Sequence, residues 1–321
     1  MILLTGGSGF LGGALLNTLI HKKVKCLGRQ KPSTISDSLF YQSEINVHTD
    51  FTVAVQDTDV LIHCAARVHV MHDSSSNPLE EFREINTYGT LNLAQQAADA
   101  GVKRFIFIST IKVNGESTDL GLPFKPNDRF IPTDPYGLSK YEAEVGLRKI
   151  AIKTGMEVVI IRPPLVYGPG VKANFASMMK WINKGLPLPL GGIKGNKRSL
   201  VSVDNLVDLI FTCIDHQNAA NQTFLISDND DVSTTQLLVN MAIALDVPNR
   251  LIPIPSKWFT IVAKLIAKPA ISQRLCGSLH VDISKTKELL NWHPLFSSVE
   301  SMKKTADAFL ESLSSNKSLH K

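Results

Sequence analysis

Thr5-Gly6-Gly7-Ser8-Gly9-Phe10-Leu11-Gly12 joins a short apolar run, Ile2–Thr5, to a helical pattern over Phe10–His21. The run reads as a strand, so the glycines fall at a strand–helix junction, and each has its own use. Gly6 permits the sharp turn, Gly9 lets backbone approach a pyrophosphate, and Gly12 lets the helix pack closely against the sheet. The helix N-terminus then offers amide donors and positive potential to phosphates.

Outward from this junction the alternation continues. Val24–Leu27 and Asp59–His63 read as strands, and Leu79–Ala100 as a helix ended by Gly101. Arg104–Ser109 is the next strand, Tyr136–Lys153 a helix followed by Gly155, and Val158–Arg162 a further strand. Strands separated by helices of this length imply right-handed β-α-β crossovers and a parallel sheet covered on both faces. The fold class expected is α/β, a Rossmann-like doubly wound parallel sheet with a smaller mixed α/β C-terminal substrate lobe. Residues 1–165 are assigned to an NAD(P)-binding domain and 166–321 mainly to the substrate lobe, with segments near 200–227 returning to the main sheet. In that second part Leu200–Cys213 reads as a helix and Thr223–Ser227 as a strand. Thr234–Leu245, Ser284–Leu290 and about Val299–Leu310 read as helices, the last before a polar end.

Composition narrows the function classes. Of 321 residues 44% are hydrophobic and 20% charged, which suits a globular protein and argues against long disorder. Lys and Arg are spread along the chain, the net charge is only +5, and no dense basic tract carries interleaved aromatics. Nucleic-acid binding is therefore not expected. Cys26, Cys64, Cys213 and Cys276 form no CxxC pair and no zinc spacing, and read as single buried cysteines of a reducing compartment. Met1 opens directly on the first strand, without a basic segment ahead of a long apolar one, so a cytoplasmic location is expected. The apolar stretch Trp258–Ala267 is broken by Lys264 and too short to span a bilayer. It reads as an amphipathic helix, and no stable membrane insertion is expected.

The chemistry points to Tyr136-Gly137-Leu138-Ser139-Lys140, which places a phenol and an ammonium on one face at a helix start. Cationic charge from Lys140 and a nicotinamide is expected to lower the tyrosine pKa. The tyrosine then takes a proton from a substrate hydroxyl as hydride leaves, and returns it in reverse. Ser109-Thr110, at the end of the preceding strand, supplies two hydroxyls to hold the substrate oxygen. At the end of the second strand, where an acid reads the ribose of NAD, the text is Leu27-Gly28-Arg29. Arg29 suits the 2′-phosphate of NADP.

With these residues in place the chain resembles the extended short-chain dehydrogenase/reductase family, within it the nucleotide-sugar epimerases, dehydratases and 4-reductases. The resemblance runs from Met1 to about Pro294. It includes the glycine signature at Thr5–Gly12, His63-Cys64-Ala65-Ala66, Asn86-Thr87-Tyr88-Gly89-Thr90-Leu91-Asn92, and Arg162 to Gly170 after the last strand of the first half. It implies Thr110, Tyr136 and Lys140 as catalytic residues. For the cofactor, NAD with NADP as the alternative, it implies contacts from Gly6, Gly9, Phe10, Leu11, Gly12, Arg29, Cys64, Ala65, Ala66, Asn86, Ser109, Tyr136, Lys140 and Pro163. Asn86 is further expected to brace the sheet near the site. For a UDP-sugar substrate it implies Arg67, Thr110, Tyr136, Leu165, Asn174, Arg198 and Arg274, with Arg198 on the diphosphate.

Four departures bear on the reaction. Ile111-Lys112 stands where 4,6-dehydratases carry an Asp-Glu pair, which argues against elimination of water. Leu165 replaces an asparagine of many epimerases, Asn114 a tyrosine, and Gly28-Arg29 the ribose-reading acid. The leading expectation is a 4-epimerase of UDP-glucose or a UDP-N-acetylhexosamine, working through a transient 4-keto sugar. The alternative is an NAD(P)H-dependent 4-ketoreductase of a UDP-4-keto-6-deoxy-hexosamine. A non-catalytic NADP-binding regulator is disfavoured because Tyr136 and Lys140 are both present. The family also implies a homodimer through Leu79–Ala100 and Tyr136–Lys153, where Ala94, Ala98 and Ala143 would allow close approach.

Overall fold

The computed structural model describes residues 1–68, 77–259, 273 and 275–318. Arg274, and residues 260–267 of the expected amphipathic helix, lie outside them. A seven-stranded sheet has the strand order Phe40–Gln42, Val24–Gly28, Ile2–Thr5, Val60–His63, Arg104–Ile108, Glu157–Arg162 and Thr223–Leu225, every pair parallel. β1 is Ile2–Thr5, β2 Val24–Gly28, β3 Phe40–Gln42, β4 Val60–His63, β5 Arg104–Ile108, β6 Glu157–Arg162 and β9 Thr223–Leu225. The period of two along each strand sorts the side chains between two cores. Leu4, Ile62, Ile106 and Ile161 pack with Leu15 and Leu16 of α1 (Phe10–Thr18) and Leu206 and Ile210 of α7 (Val203–Asp215). Leu3, Leu61, Phe105 and Ile160 face Val55 of α2 (Thr52–Val55), Leu93 and Ala97 of α4 (Thr90–Asp99) and Leu147 of α5 (Pro135–Thr154). Both faces being covered explains why the strands are continuously apolar.

Three features differ from the sequence reading. The expected helix over Leu79–Ala100 is two helices, α3 (Pro78–Arg83) and α4, joined by a π-type turn over Glu84–Gly89. Its wider winding turns Asn86 and Thr87 into the interior. It also presses Gly89 against the Ile45 carbonyl, which a Cβ would meet at 2.8 Å. Leu200–Cys213 is likewise not one helix: Leu200–Ser202 is strand β8, paired in parallel with β7 (Leu165–Tyr167). Ser202 then caps α7 by accepting a hydrogen bond from the Asn205 amide, which sets the helix start. Finally Ala94 and Ala143 are fully buried in this chain's own core, so they offer no face to a second copy.

The C-terminal lobe has its own core, with Phe175 and Met179 of α6 (Ala173–Asn183), Leu238 and Met241 of α8 (Thr234–Ala244) and Met302. Helix α9 spans Ser284–Leu290. Helix α10 runs Ser298–Ser318, past the expected Leu310, because no Gly or Pro interrupts it. Among the described residues no helix is long and apolar enough to cross a membrane. Cys26 and Cys213 are buried, while Cys64 and Cys276 are half-buried.

His63, at the end of β4, is fully enclosed. Its Nδ1 and Nε2 meet the hydroxyls of Thr5 and Thr90 at 2.8 and 2.9 Å, and burial, aided by Lys140, depresses its pKa to about 3. The unfolded chain therefore takes up a proton below pH 6.5 that the folded chain refuses until about pH 3. Stability should fall with acidification across that window by up to about 1.4 kcal/mol per pH unit from this group. Melting temperature against pH checks this: the acid limb of His63→Gln should be shallower, and an unchanged slope would exclude His63 as its source.

Candidate active site

The glycine loop lies against the turn that follows β4. Gly6 has φ +73°, and a Cβ there would sit 2.7 Å from the Ala65 amide nitrogen; one on Gly12 would sit 2.1 Å from the Gly6 carbonyl oxygen. Thr5 Oγ1 accepts from the Ala65 amide at 3.2 Å, fixing Cys64-Ala65-Ala66 beside the loop. Gly9 caps α1 without a side-chain hydrogen bond, and Ser8 and Gly9 are exposed. A helix start with uncapped amides behind a glycine-rich loop fits the pyrophosphate of a dinucleotide. Phe10 and Leu11 are half-buried in the first turn of α1, and Arg29 is exposed just after β2.

The start of α5 is built by Asp134 and Pro135. Asp134 accepts from the Gly137 amide at 3.1 Å, and a Cβ on Gly137 would be 2.4 Å from its carboxylate. This cap sets Tyr136 in the first turn, half-buried, with its ring edge-on to Phe82. Lys140, one turn on, is 1% exposed; its Nζ donates to the Ile108 carbonyl at 2.8 Å and lies 4.2 Å from the centre of the Phe107 ring. Burial depresses the Lys140 pKa to about 7, against the opposing pull of Cys64 and Glu144.

Thr110 follows β5 and caps a short turn, accepting from the Lys112 amide at 3.4 Å. Both sides of it are tied to α5. Lys140 holds Ile108 before it, and Lys112 after it forms an ion pair with Asp134 at 2.9 Å. Pro163 is buried, and its carbonyl accepts from the Ile111 amide at 3.0 Å. Asn86 joins a third element: its side chain accepts from the Arg67 amide at 2.8 Å and donates to the Arg67 carbonyl and to Ser139 Oγ. The π-type turn thus clamps the segment after β4 to α5.

The model of the NAD dependent epimerase/dehydratase family matches residues 2–227. The chain belongs to that family. It is 54% identical to a UDP-glucose 4-epimerase of Vibrio cholerae over 97% of this chain and 95% of the relative. It is 27% identical, over 88% of each chain, to an Escherichia coli O157:H7 N-acetyl-α-D-glucosaminyl-diphospho-ditrans,octacis-undecaprenol 4-epimerase. Its fold is similar to that of the Thermotoga maritima UDP-glucose 4-epimerase solved with UDP-glucose. That likeness has a TM-score of 0.79 at 24% identity and covers 97% of this chain and 99% of the other.

In this epimerase/dehydratase chain the expected site residues are placed as follows. The Tyr136 pKa is raised to about 12, by burial and then by the Asp134 carboxylate, not lowered. Ser109 is no free hydroxyl: its Oγ donates to Glu144 at 2.6 Å, in the interior. The Arg67 guanidinium is ion-paired with Glu81 and lies over the Phe82 ring. Arg198 donates to the Gly277 carbonyl at 3.1 Å, and its backbone bridges Val232 and Leu279. Leu165 is 42% exposed and Asn174 is exposed on the first turn of α6.

The sequence reading missed Glu144 and Arg162 as partners. Arg162 grips Glu144 through two hydrogen bonds of 2.9 and 2.6 Å, with the side chains 7% and 2% exposed. Asn114 accepts from Arg162 at 2.9 Å, so the residue that departs from the family tyrosine completes this cluster. Glu144 was findable, because Tyr136, Lys140 and Glu144 follow one another at helical i, i+4 spacing.

Proposed function

We propose that the chain interconverts UDP-glucose and UDP-galactose by inversion at C4, with NAD retained through the cycle. The observation that carries this reading is the 54% identity to the Vibrio cholerae UDP-glucose 4-epimerase over nearly the whole of both chains. The Thr110, Tyr136 and Lys140 set on α5 and its docked turn supports it. Residues of the glycine loop, Cys64-Ala65-Ala66, Tyr136 and Lys140 would hold the cofactor. Bound NAD⁺ supplies the hydride acceptor for C4 and a positive charge that favours phenolate. Tyr136 removes and returns the proton of the C4 hydroxyl, and Thr110 positions that oxygen. Arg198 and the exposed Leu165 and Asn174 face the nucleotide and sugar in this proposal. Lys112, paired with Asp134, stands where elimination of water would need a carboxylic acid.

A redox-neutral cycle returns the hydride to the sugar it came from, so it favours NAD that stays bound over exchanging NADP. A homodimer through α3–α4 and α5 belongs to the same reading, supported by the 37% exposed Tyr88 and not by the buried alanines. Denaturing freshly purified protein and weighing the released dinucleotide tests the proposal. Stoichiometric NAD is expected. An empty protein that oxidises NADPH only when given a UDP-4-keto sugar would overturn it in favour of the reductase.

A further inference from the structure

Lys and Arg are spread along the chain, but Asp and Glu are not. Residues 163–203 and 247–281 hold eleven of the 34 Lys and Arg and none of the 29 Asp and Glu. The rest of the chain is therefore net acidic. The two segments meet in space. Leu188 bridges Leu251 and Gly192 bridges Pro255, with Ile252 donating to the Leu188 carbonyl at 2.8 Å. They form one irregular ribbon at an edge of the C-terminal lobe.

Part of this charge has an internal use, since Arg198 donates to Gly277 and Arg250 to the Gly185 carbonyl. Lys180, Lys184, Lys194 and Lys257 are exposed, and among the described residues no ion pair engages them. Large apolar side chains stand out from the same ribbon and its flanks. Trp181 is 53% exposed just before it and Trp258 58% just after it, with Leu186 at 41% and Ile252 at 48% within it. Lysines alone would suit any polyanion. Tryptophans and aliphatics interleaved with lysines match the headgroup region of a bilayer, where indole rings settle and lysines meet lipid phosphates.

We propose that this ribbon docks the protein onto the surface of an anionic lipid bilayer, without crossing it. Trp181 and Trp258 seat at headgroup level, and Lys180, Lys184 and Lys257 bind the lipid phosphates. The contact is peripheral and weakens with salt.

Flotation of the full chain with vesicles tests it, using equal parts phosphatidylglycerol and phosphatidylcholine against pure phosphatidylcholine. Binding to the anionic vesicles alone is expected, with a blue shift of tryptophan emission. That shift reports on Trp181 and Trp258, because Trp292, the third tryptophan, is 4% exposed and bonded to Asp208. The Lys180→Glu/Lys184→Glu/Lys257→Glu variant should lose at least about tenfold in partitioning. Trp181→Ser/Trp258→Ser should bind more weakly and lose the shift, and both variants should turn over soluble UDP-sugar as the parent does. Equal binding to neutral vesicles, or binding indifferent to the charge reversals, would overturn the proposal. So would a DNA duplex bound as tightly by the Trp variant as by the parent, or a fall in oligomer mass on substituting the two tryptophans. Those last results would assign the face to a polyanion or to a second copy of the chain.

Discussion

Tyr136→Phe is expected to lower kcat by about 10²–10⁴-fold while leaving KM and melting temperature nearly unchanged. The substitution removes one hydroxyl and keeps the ring that lies edge-on to Phe82. The Asp134 cap and the Lys112 pair that set the start of α5 are untouched. What is lost is the group proposed to exchange a proton with the C4 oxygen. In the chain alone that phenol is held up to about 12 by burial and by Asp134, so it is protonated at neutral pH. Asp134→Asn removes the carboxylate's share of the upward shift and keeps a side-chain oxygen for the Gly137 amide. The alkaline rise of kcat should then move to lower pH, and a profile unchanged by the substitution would show that Asp134 does not act on the phenol. A Tyr136→Phe enzyme with more than about a tenth of parental kcat would remove Tyr136 from the proton-transfer role.

The largest effect on stability is expected at Glu144. Glu144→Ala leaves the Arg162 guanidinium buried without its counter-charge, which costs about 3–5 kcal/mol, measurable by denaturant unfolding. It also frees the Ser109 hydroxyl and removes an acid that favours the charged form of Lys140. Glu144 is buried and bonded to Ser109, next to Thr110, so the role expected of it is to position that turn. Glu144→Leu/Arg162→Met separates the two consequences. Removing both charges should recover much of the lost stability. Turnover should stay low, because the Ser109–Thr110 turn has lost its anchor. Recovery of activity together with stability would show that the pair only holds the fold.

The strands β1, β4, β5 and β6 were legible because each is a short apolar run bounded by glycine or by a helical pattern. The candidate site residues were legible for the same reason, since the ends of β1 and β5 lead into Gly6 and Ser109-Thr110. The π-type turn at Glu84–Gly89 was not, because its residues satisfy the helical period as well as a regular helix would. Strands β3, β7 and β8 are three residues long, too short for alternation to register. The direction of the Tyr136 shift was not legible, because the burial of the phenol and its closeness to the Asp134 carboxylate arise only in the folded chain. Asn114 looked like a loss when compared with the family tyrosine, yet it fills a hydrogen-bonding position on Arg162 that only the folded chain reveals.

In the proposed cycle hydrogen leaves C4 and returns to the same sugar. Turnover of UDP-glucose deuterated at C4, followed by mass spectrometry of the UDP-galactose formed, reads this directly. Full retention of the deuterium, without added cofactor being consumed, is the result predicted. Loss of the label to solvent, or product formed only in step with added NADPH, would contradict it.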